Sequence, residues 1–583
     1  MPQMKSSKRI YYFIIIGLAG CFMQAQEKEA LKIQEVLVVK SYTPSLSDVF
    51  KIKDGPQIPD SLKTKGKVLK FNIKPIAVVS TFEPNKASPL KLKRRSYSAP
   101  FNTFFSGGIG SMSQLYANIS SVIELDRYQR FGLNYYRDGF DGDIGNSLLK
   151  SSQGFIQYGA HHNLRSSNYN ANTQIKFTIQ KNNYFGLYDR NWDNFLIATV
   201  DPQIKRNYFK FRTYWDWFDS LLRSLAFQAN ITSDNFSSSE QQLALESNFV
   251  IPLAGGKIKA LAKLKGLNTS FATPFFKDQN QEFFQGMGNI VFQWFYIEND
   301  LKLKIGGGLA YIEGDNTLKN KLNYYPKLEI FYNKRDSSIS PYFSANGGVR
   351  LNSYRESALY NPYLAPITDL RPRFNKYNTR LGIRSSLSSI LNFDFNFIFD
   401  QVENYHFYQR LPINILGDFE SYKLSNSFEN KFSNLDLYGF SAKFRIDLAK
   451  NNFVQFETTY RYFDQSDDQI LLNIPSLSMN WKSQFSYMDV ITLSFNGELW
   501  GERSANQHIK SLEFFGSNIE PEKFTLPLFF RSTAHLTIKL NDQFDTFIKG
   551  RFSNSEIHGQ WGFYEEPSLL LLGGITYKFD FQY

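Results

Sequence analysis

Ile575-Thr576-Tyr577-Lys578-Phe579-Asp580-Phe581-Gln582-Tyr583 closes the chain. Its odd positions are all apolar and its even positions all polar. Successive side chains of a β-strand point to opposite faces, so this run makes a strand with one greasy and one wet side. Ending on such a strand, with an aromatic last residue, resembles the C-terminal signal by which barrel-assembly machinery recognises outer-membrane proteins. On that reading Tyr577, Phe579, Phe581 and Tyr583 form the insertion signal.

The same alternation recurs upstream. Phe393, Phe395, Phe397 and Phe399 are separated by Asp394, Asn396 and Ile398. Tyr438, Phe440, Ala442, Phe444, Ile446 and Leu448 alternate with Gly439, Ser441, Lys443, Arg445 and Asp447. Val454–Tyr462 and Ile491–Leu499 repeat the pattern. A soluble sandwich would show it too, but open twisted sheets rarely exceed about 10 strands, and this pattern runs from Phe101 to the end without helical interruption. Closure into a cylinder removes the sheet edges. Mean hydropathy is −0.36, too low for a bundle of apolar helices of about 20 residues. Aromatic residues make up 17% of the chain, as expected where rings girdle both membrane interfaces.

The fold expected is therefore all-β, a large antiparallel transmembrane β-barrel over residues 101–583. At roughly 22 residues per strand and connection it has about 22 strands, within a range of about 16–24. Candidate outer loops are 138–151, 187–205, 352–377, 406–420, 464–474 and 503–530. Lys443, Arg445, Glu457 and Arg461 fall on the polar face and would line the lumen.

The N-terminal part differs. Lys8 and Arg9 precede the apolar run 10–19, then Met23-Gln24-Ala25-Gln26, the order of a secretory signal peptide over residues 1–25. The alternative is Leu18-Ala19-Gly20-Cys21, which resembles a lipobox and would lipidate Cys21. Residues 26–100 carry 15 basic and 7 acidic side chains and seven prolines, and read as an extended periplasmic segment. The +12 charge of the whole chain thus sits mainly before the barrel. Nucleic-acid binding needs a basic face on a folded domain, so no nucleic-acid partner is expected.

Two stretches add a family resemblance. Glu35-Val36-Leu37-Val38-Val39 is similar to a TonB box, and Asn361-Pro362-Tyr363-Leu364-Ala365-Pro366 to a loop that precedes a late barrel strand. With the size and alternation, the chain resembles TonB-dependent-receptor-like barrels of Bacteroidetes outer membranes. The resemblance implies uptake or passage of a substrate, with TonB pairing onto residues 35–39. The alternative is a non-transporting subunit of an outer-membrane assembly, secretion or surface-lipoprotein complex. The partners expected are membrane lipid, the assembly machinery, and TonB or other outer-membrane proteins and lipoproteins. The chain departs from the family in the short segment before the first strand, which has no globular pattern and so no plug domain. A barrel this wide normally has a filled lumen. Loops and the N-terminal segment fold inward, or a partner closes the lumen, or the barrel is smaller. No Gly-x-Ser-x-Gly, His-Glu-x-x-His or phosphate-loop pattern occurs, so neither catalysis nor a cofactor is expected, and with a single cysteine no thiolate metal site.

Overall fold

The computed structural model describes residues 70–72 and 101–581, apart from 189–193, 254, 273–281, 316–317, 319, 335–336, 387–389, 415–419, 466–469, 508–521 and 556–557. The signal peptide, Cys21, the TonB-box-like residues 35–39 and Tyr583 lie outside the described residues.

The chain from Thr103 onward is built of strands. The first seven are β1 (Thr103–Gly110), β2 (Leu115–Glu124), β3 (Gln129–Asp141), β4 (Ser152–Arg165), β5 (Tyr169–Asn183), β6 (Gln203–Trp217) and β7 (Leu222–Asp234). Then come β8 (Ser239–Leu253), β9 (Gly256–Ser270), β10 (Glu282–Glu298), β11 (Leu301–Gly314), β12 (Leu322–Tyr332), β13 (Ile339–Arg350), β14 (Arg373–Ser386) and β15 (Leu391–Arg410). The last nine are β16 (Phe428–Ala449), β17 (Asn452–Gln465), β18 (Leu477–Tyr487), β19 (Ile491–Trp500), β20 (Arg503–Gln507), β21 (Glu522–Leu526), β22 (Phe529–Lys539), β23 (Phe544–Ser553) and β24 (Leu569–Phe579). Among the described residues two short α-helices interrupt them, α1 (Asn194–Thr199) and α2 (Tyr354–Tyr360), with a 3-10 turn at Ser421–Lys423.

Twenty-two of these strands form one antiparallel sheet, each bonded to its neighbour in sequence, with β20 and β21 set apart as a hairpin. The sheet closes because β1 pairs with β24, from Thr103 opposite Phe579 to Gly110 opposite Leu572. Asn102 fastens the seam, its main-chain N–H donating to Asp580 Oδ1 at 3.1 Å and its side chain exchanging hydrogen bonds with the Phe581 main chain. The amphipathic C-terminal strand is therefore the closing stave, with Tyr577 and Phe579 stacked at 5.1 Å.

The faces sort as the alternation demands. Ile305, Leu309, Phe395, Phe397, Phe440 and Ile575 all stand exposed on the barrel wall. Between Phe440 and Phe444 in sequence, Lys443 turns to the other face and pairs with Glu457 at 3.8 Å. An apolar belt around a polar interior is the solution for a wall that faces acyl chains.

The two ends differ. Turns of two to six residues join strands at one end, whereas connections at the other reach 28 residues between β19 and β22. All six candidate loops lie at that long-loop end. The strands run longer than the sequence pattern suggested: β15 has 20 residues and β16 has 22. At about 3.4 Å per residue, these two rise well beyond an apolar band about 25 Å tall.

A charge at mid-belt should be costly. Phe397, 71% exposed, faces outward between Leu381 and Phe440. Phe397→Arg should destabilise the barrel by about 2–4 kcal/mol and Phe397→Leu by under about 1.5 kcal/mol, measured by urea unfolding in lipid vesicles.

Candidate functional site

The largest buried cluster lies at the long-loop end rather than mid-barrel. It gathers Tyr184 and Phe185, Trp561 and Tyr564, Tyr408 and Phe428, around Tyr354, Ala358, Leu364, Ala365 and Leu370. The last five belong to residues 351–372, the connection between β13 and β14. This segment folds into the mouth of the barrel and supplies the middle of that core.

Its local geometry follows from its residues. Ser353 caps α2, its Oγ accepting from the Glu356 N–H at 3.1 Å. Asn361 ends the helix, and its side chain accepts from the Tyr363 N–H at 3.0 Å, an Asx turn of the kind asparagine favours. Pro362 and Pro366 then hold the chain extended. The stretch lies beside β16, with Ala365 N–H donating to Phe428 O and Phe428 N–H to Tyr363 O. Tyr363 stacks on Tyr564, and Tyr360 on Tyr408.

Side chains from the opposite wall hold it from the other side. Arg206 on β6 is fully buried. Its Nη1 donates to Pro362 O at 2.7 Å, its Nη2 to Leu364 O at 2.5 Å, and its Nε to Tyr354 Oη at 3.0 Å. Tyr354 in turn donates to Asp234 Oδ2 at 2.7 Å. Glu240 on β8, also buried, accepts from the Tyr354 N–H at 2.5 Å, the Arg355 N–H at 3.2 Å and Thr269 Oγ1 at 3.2 Å. A carboxylate there satisfies main-chain donors that the helix leaves open and meets the positive end of its dipole. Further along, Ser238 Oγ donates to Pro366 O, Gln285 Nε2 to Leu370 O and Lys265 Nζ to Leu351 O. Burial pushes the phenols of Tyr184 and Tyr354 above their ordinary range, so both remain neutral hydrogen-bonding groups.

The segment thus spans the mouth from β6–β10 to β15–β16. Beside it lies a cavity of about 520 Å³ with a mixed polar lining. Arg350 and Glu356 form one side, linked by an ion pair of 2.7 Å. Tyr405, His406, Arg461 and Glu498 form the other. Of the lumenal residues expected from sequence, Arg461 reaches this cavity, and Lys443 and Glu457 pair with each other. Arg445 pairs instead with Asp447 at 2.8 Å on its own strand.

Arg206, Asp234 and Glu240 were not singled out from sequence. Each is a polar residue on an alternating strand, like many neighbours. The one local hint was Asn361–Pro366, read as a loop motif. The described histidines are dispersed, and among the described residues no group of three or more His, Cys, Asp or Glu could hold a metal ion.

The fold is that of known outer-membrane receptors. The ferric enterobactin receptor PfeA from Pseudomonas aeruginosa matches with a TM-score of 0.58 and 11% identity, covering 83% of this chain and 81% of that one. The FrpB iron transporter from Neisseria meningitidis gives 0.60 at 9% identity, with coverages of 83% and 82%. The siderophore receptor PirA from Acinetobacter baumannii gives 0.58 at 13%, with 82% and 80%. At identities this low the likeness is one of fold, a large closed β-barrel. No protein-family model and no curated protein matches the sequence.

Arg206→Ala would leave Pro362 O without its donor and Leu364 O with only that of Tyr184 Oη, each lost charge-assisted bond contributing about 1.5–3 kcal/mol. Amide hydrogen exchange across 351–372 should rise at least about tenfold, while strands far from the mouth exchange as in the parent. Arg206→Lys should fall between, because an ammonium keeps the charge but lacks the rigid planar fork that meets both carbonyls and Tyr354 Oη at once.

Proposed function

We propose that this chain is an outer-membrane barrel of the TonB-dependent-receptor type that passes a substrate across the membrane, with residues 351–372 as the stopper that shuts its lumen. The anchoring of that segment by Arg206 and Glu240 carries the reading. A segment meant only to fill space needs no buried ions. Here two ionisable side chains are desolvated, and most of the hydrogen bonds that stabilise them come from the segment: Pro362 O, Leu364 O and Tyr354 Oη for Arg206, and the Tyr354 and Arg355 N–H groups for Glu240. Withdrawing the segment exposes both to lumenal water, which solvates them and lowers the cost of opening. Such an anchor can hold firmly and still let go.

In this reading Lys443, Glu457 and Arg461 line the route, and the cavity beside Arg350 and Glu356 is where a polar substrate first meets the lumen. Glu35, Val36, Leu37, Val38 and Val39 pair as an added strand with TonB in the periplasm. The signal peptide, or lipidation of Cys21, sets how the mature chain begins. Loops close the outer mouth, so the reading requires no separate plug there.

A second reading is a non-transporting subunit of an outer-membrane complex. The number of independent anchors on 351–372 favours it, since a permanently shut barrel would look the same.

Planar-bilayer recording tests the stopper, and phenotypes in cells separate the two readings. The parent should be silent, and replacing 353–370 by a short Gly-Ser link should open a steady channel. In cells, a transporter predicts a nutrient-linked growth defect on deletion, reproduced by removing residues 36–39. Fixed co-purifying partners, with no nutrient phenotype, would support the subunit instead.

A further inference from the structure

The barrel wall is interrupted between β12 and β13. β12 pairs with β11 along its whole length, from Leu322 to Tyr332, but with β13 only over residues 327–331. Ile312 N–H donates to Lys321 O, and hydrogen-bonded pairs alternate along an antiparallel ladder. Leu322, Tyr324 and Pro326 therefore turn their main-chain groups away from β11, toward a neighbour that is not there among the described residues.

The neighbour has moved inward. A register shift falls between Asn346 and Gly348 on β13, and another between Asn375 and Tyr377 on β14. Bulges of this kind bend a strand and re-aim its side chains. At Gly347 the chain passes so close behind β12 that a Cβ would lie 2.4 Å from Tyr325 Cβ. Val349, Leu351 and Phe374 then pack with Tyr325 against inward residues of β9–β11.

A trough of about 920 Å³ is left on the wall. Ile290, Phe292, Leu309 and Leu322, all lipid-facing and exposed, form its greasy part. Gly307 gives it depth, and a Cβ there would touch only Tyr325 O at 3.4 Å. Tyr324, 82% exposed, and Tyr377 stand at its margins. Lys376, the bulge residue of β14, lines it as well and makes no ion pair among the described residues.

We propose that this trough is a binding site for one anionic membrane lipid, its acyl chain lying along the apolar floor and its phosphate meeting Lys376. An apolar channel continuous with the lipid-facing belt, carrying one unpaired cation, matches an amphiphile of that charge. Tyrosines at its edge suit the interface between chain and headgroup. An added protein strand fits less well. Pro326 has no N–H to give, so only Leu322 and Tyr324 offer donors along the open edge, and such an edge is a poor template.

The test is native mass spectrometry of the detergent-purified full chain, offered equal amounts of phosphatidylglycerol and phosphatidylcholine with identical acyl chains. The parent should retain one phosphatidylglycerol in preference. Lys376→Ala should reduce that preference about fivefold, the scale of one basic residue at a charged surface. Gly307→Leu, filling the floor, should abolish retention of either lipid. Heat-modifiable gel mobility confirms that both variants are folded, and Lys376→Gln repeats the charge test. Equal retention of the two lipids, or no change in either variant, would overturn the proposal. So would competition by inorganic phosphate with no dependence on chain length, which would mark an anion site alone. A photo-crosslinker at position 324 that captures a protein strand in cells, rather than lipid, would also overturn it.

Discussion

Main-chain hydrogen bonding in a medium without water governs this structure. Each N–H or C=O left unpaired among acyl chains costs several kcal/mol. A sheet escapes that cost only by having no edge. The Thr103–Phe579 register closes the cylinder, and once it closes, period-two alternation puts every second side chain into lipid and the rest into the lumen. The apolar belt, the polar interior and the long connections at one end all follow from that closure.

Closure creates a second problem, because a ring of 22 strands encloses a wide passage. The chain meets it with a segment that is neither a domain nor a simple loop. Residues 351–372 bring aromatic and aliphatic side chains to the mouth and make a core with the neighbouring loops. Arg206 and Glu240, on the facing wall, take up the main-chain groups that such an irregular path leaves open. Apolar packing therefore fills this part of the mouth, and buried polar side chains hold the segment in register. Packing gives most of the cohesion, and the ions define where the segment sits. Drawing β13 and β14 inward to support it thins the wall beside β12, so the trough there is the structural counterpart of the seal.

The barrel was legible because alternation is a local property, readable from any dozen residues. The stave from Ile575 to Phe579 and six of the long connections could be read the same way, whereas the connection between β23 and β24 was missed. The seal was not. Arg206 lies more than 150 residues from Pro362 and Leu364, and Glu240 more than 110 from Tyr354; nothing in a strand's own pattern marks which polar residue has such a partner. Asn361–Pro366 was noticed as a motif, and its sequence does dictate a turn followed by extended chain, but not that the turn points into the lumen. The lengths of β15 and β16 escaped too, since alternation continues above the membrane and does not mark where lipid ends.

The central claim is that residues 351–372 occupy the barrel mouth and are held there. It is tested most directly by electron–electron double resonance in lipid nanodiscs, with one spin label at Leu359 and another on the short turn at Asp300. A single narrow distance distribution, broadened when Arg206 is replaced by Ala, is the predicted result. A broad distribution in the parent, unaffected by Arg206, would contradict it.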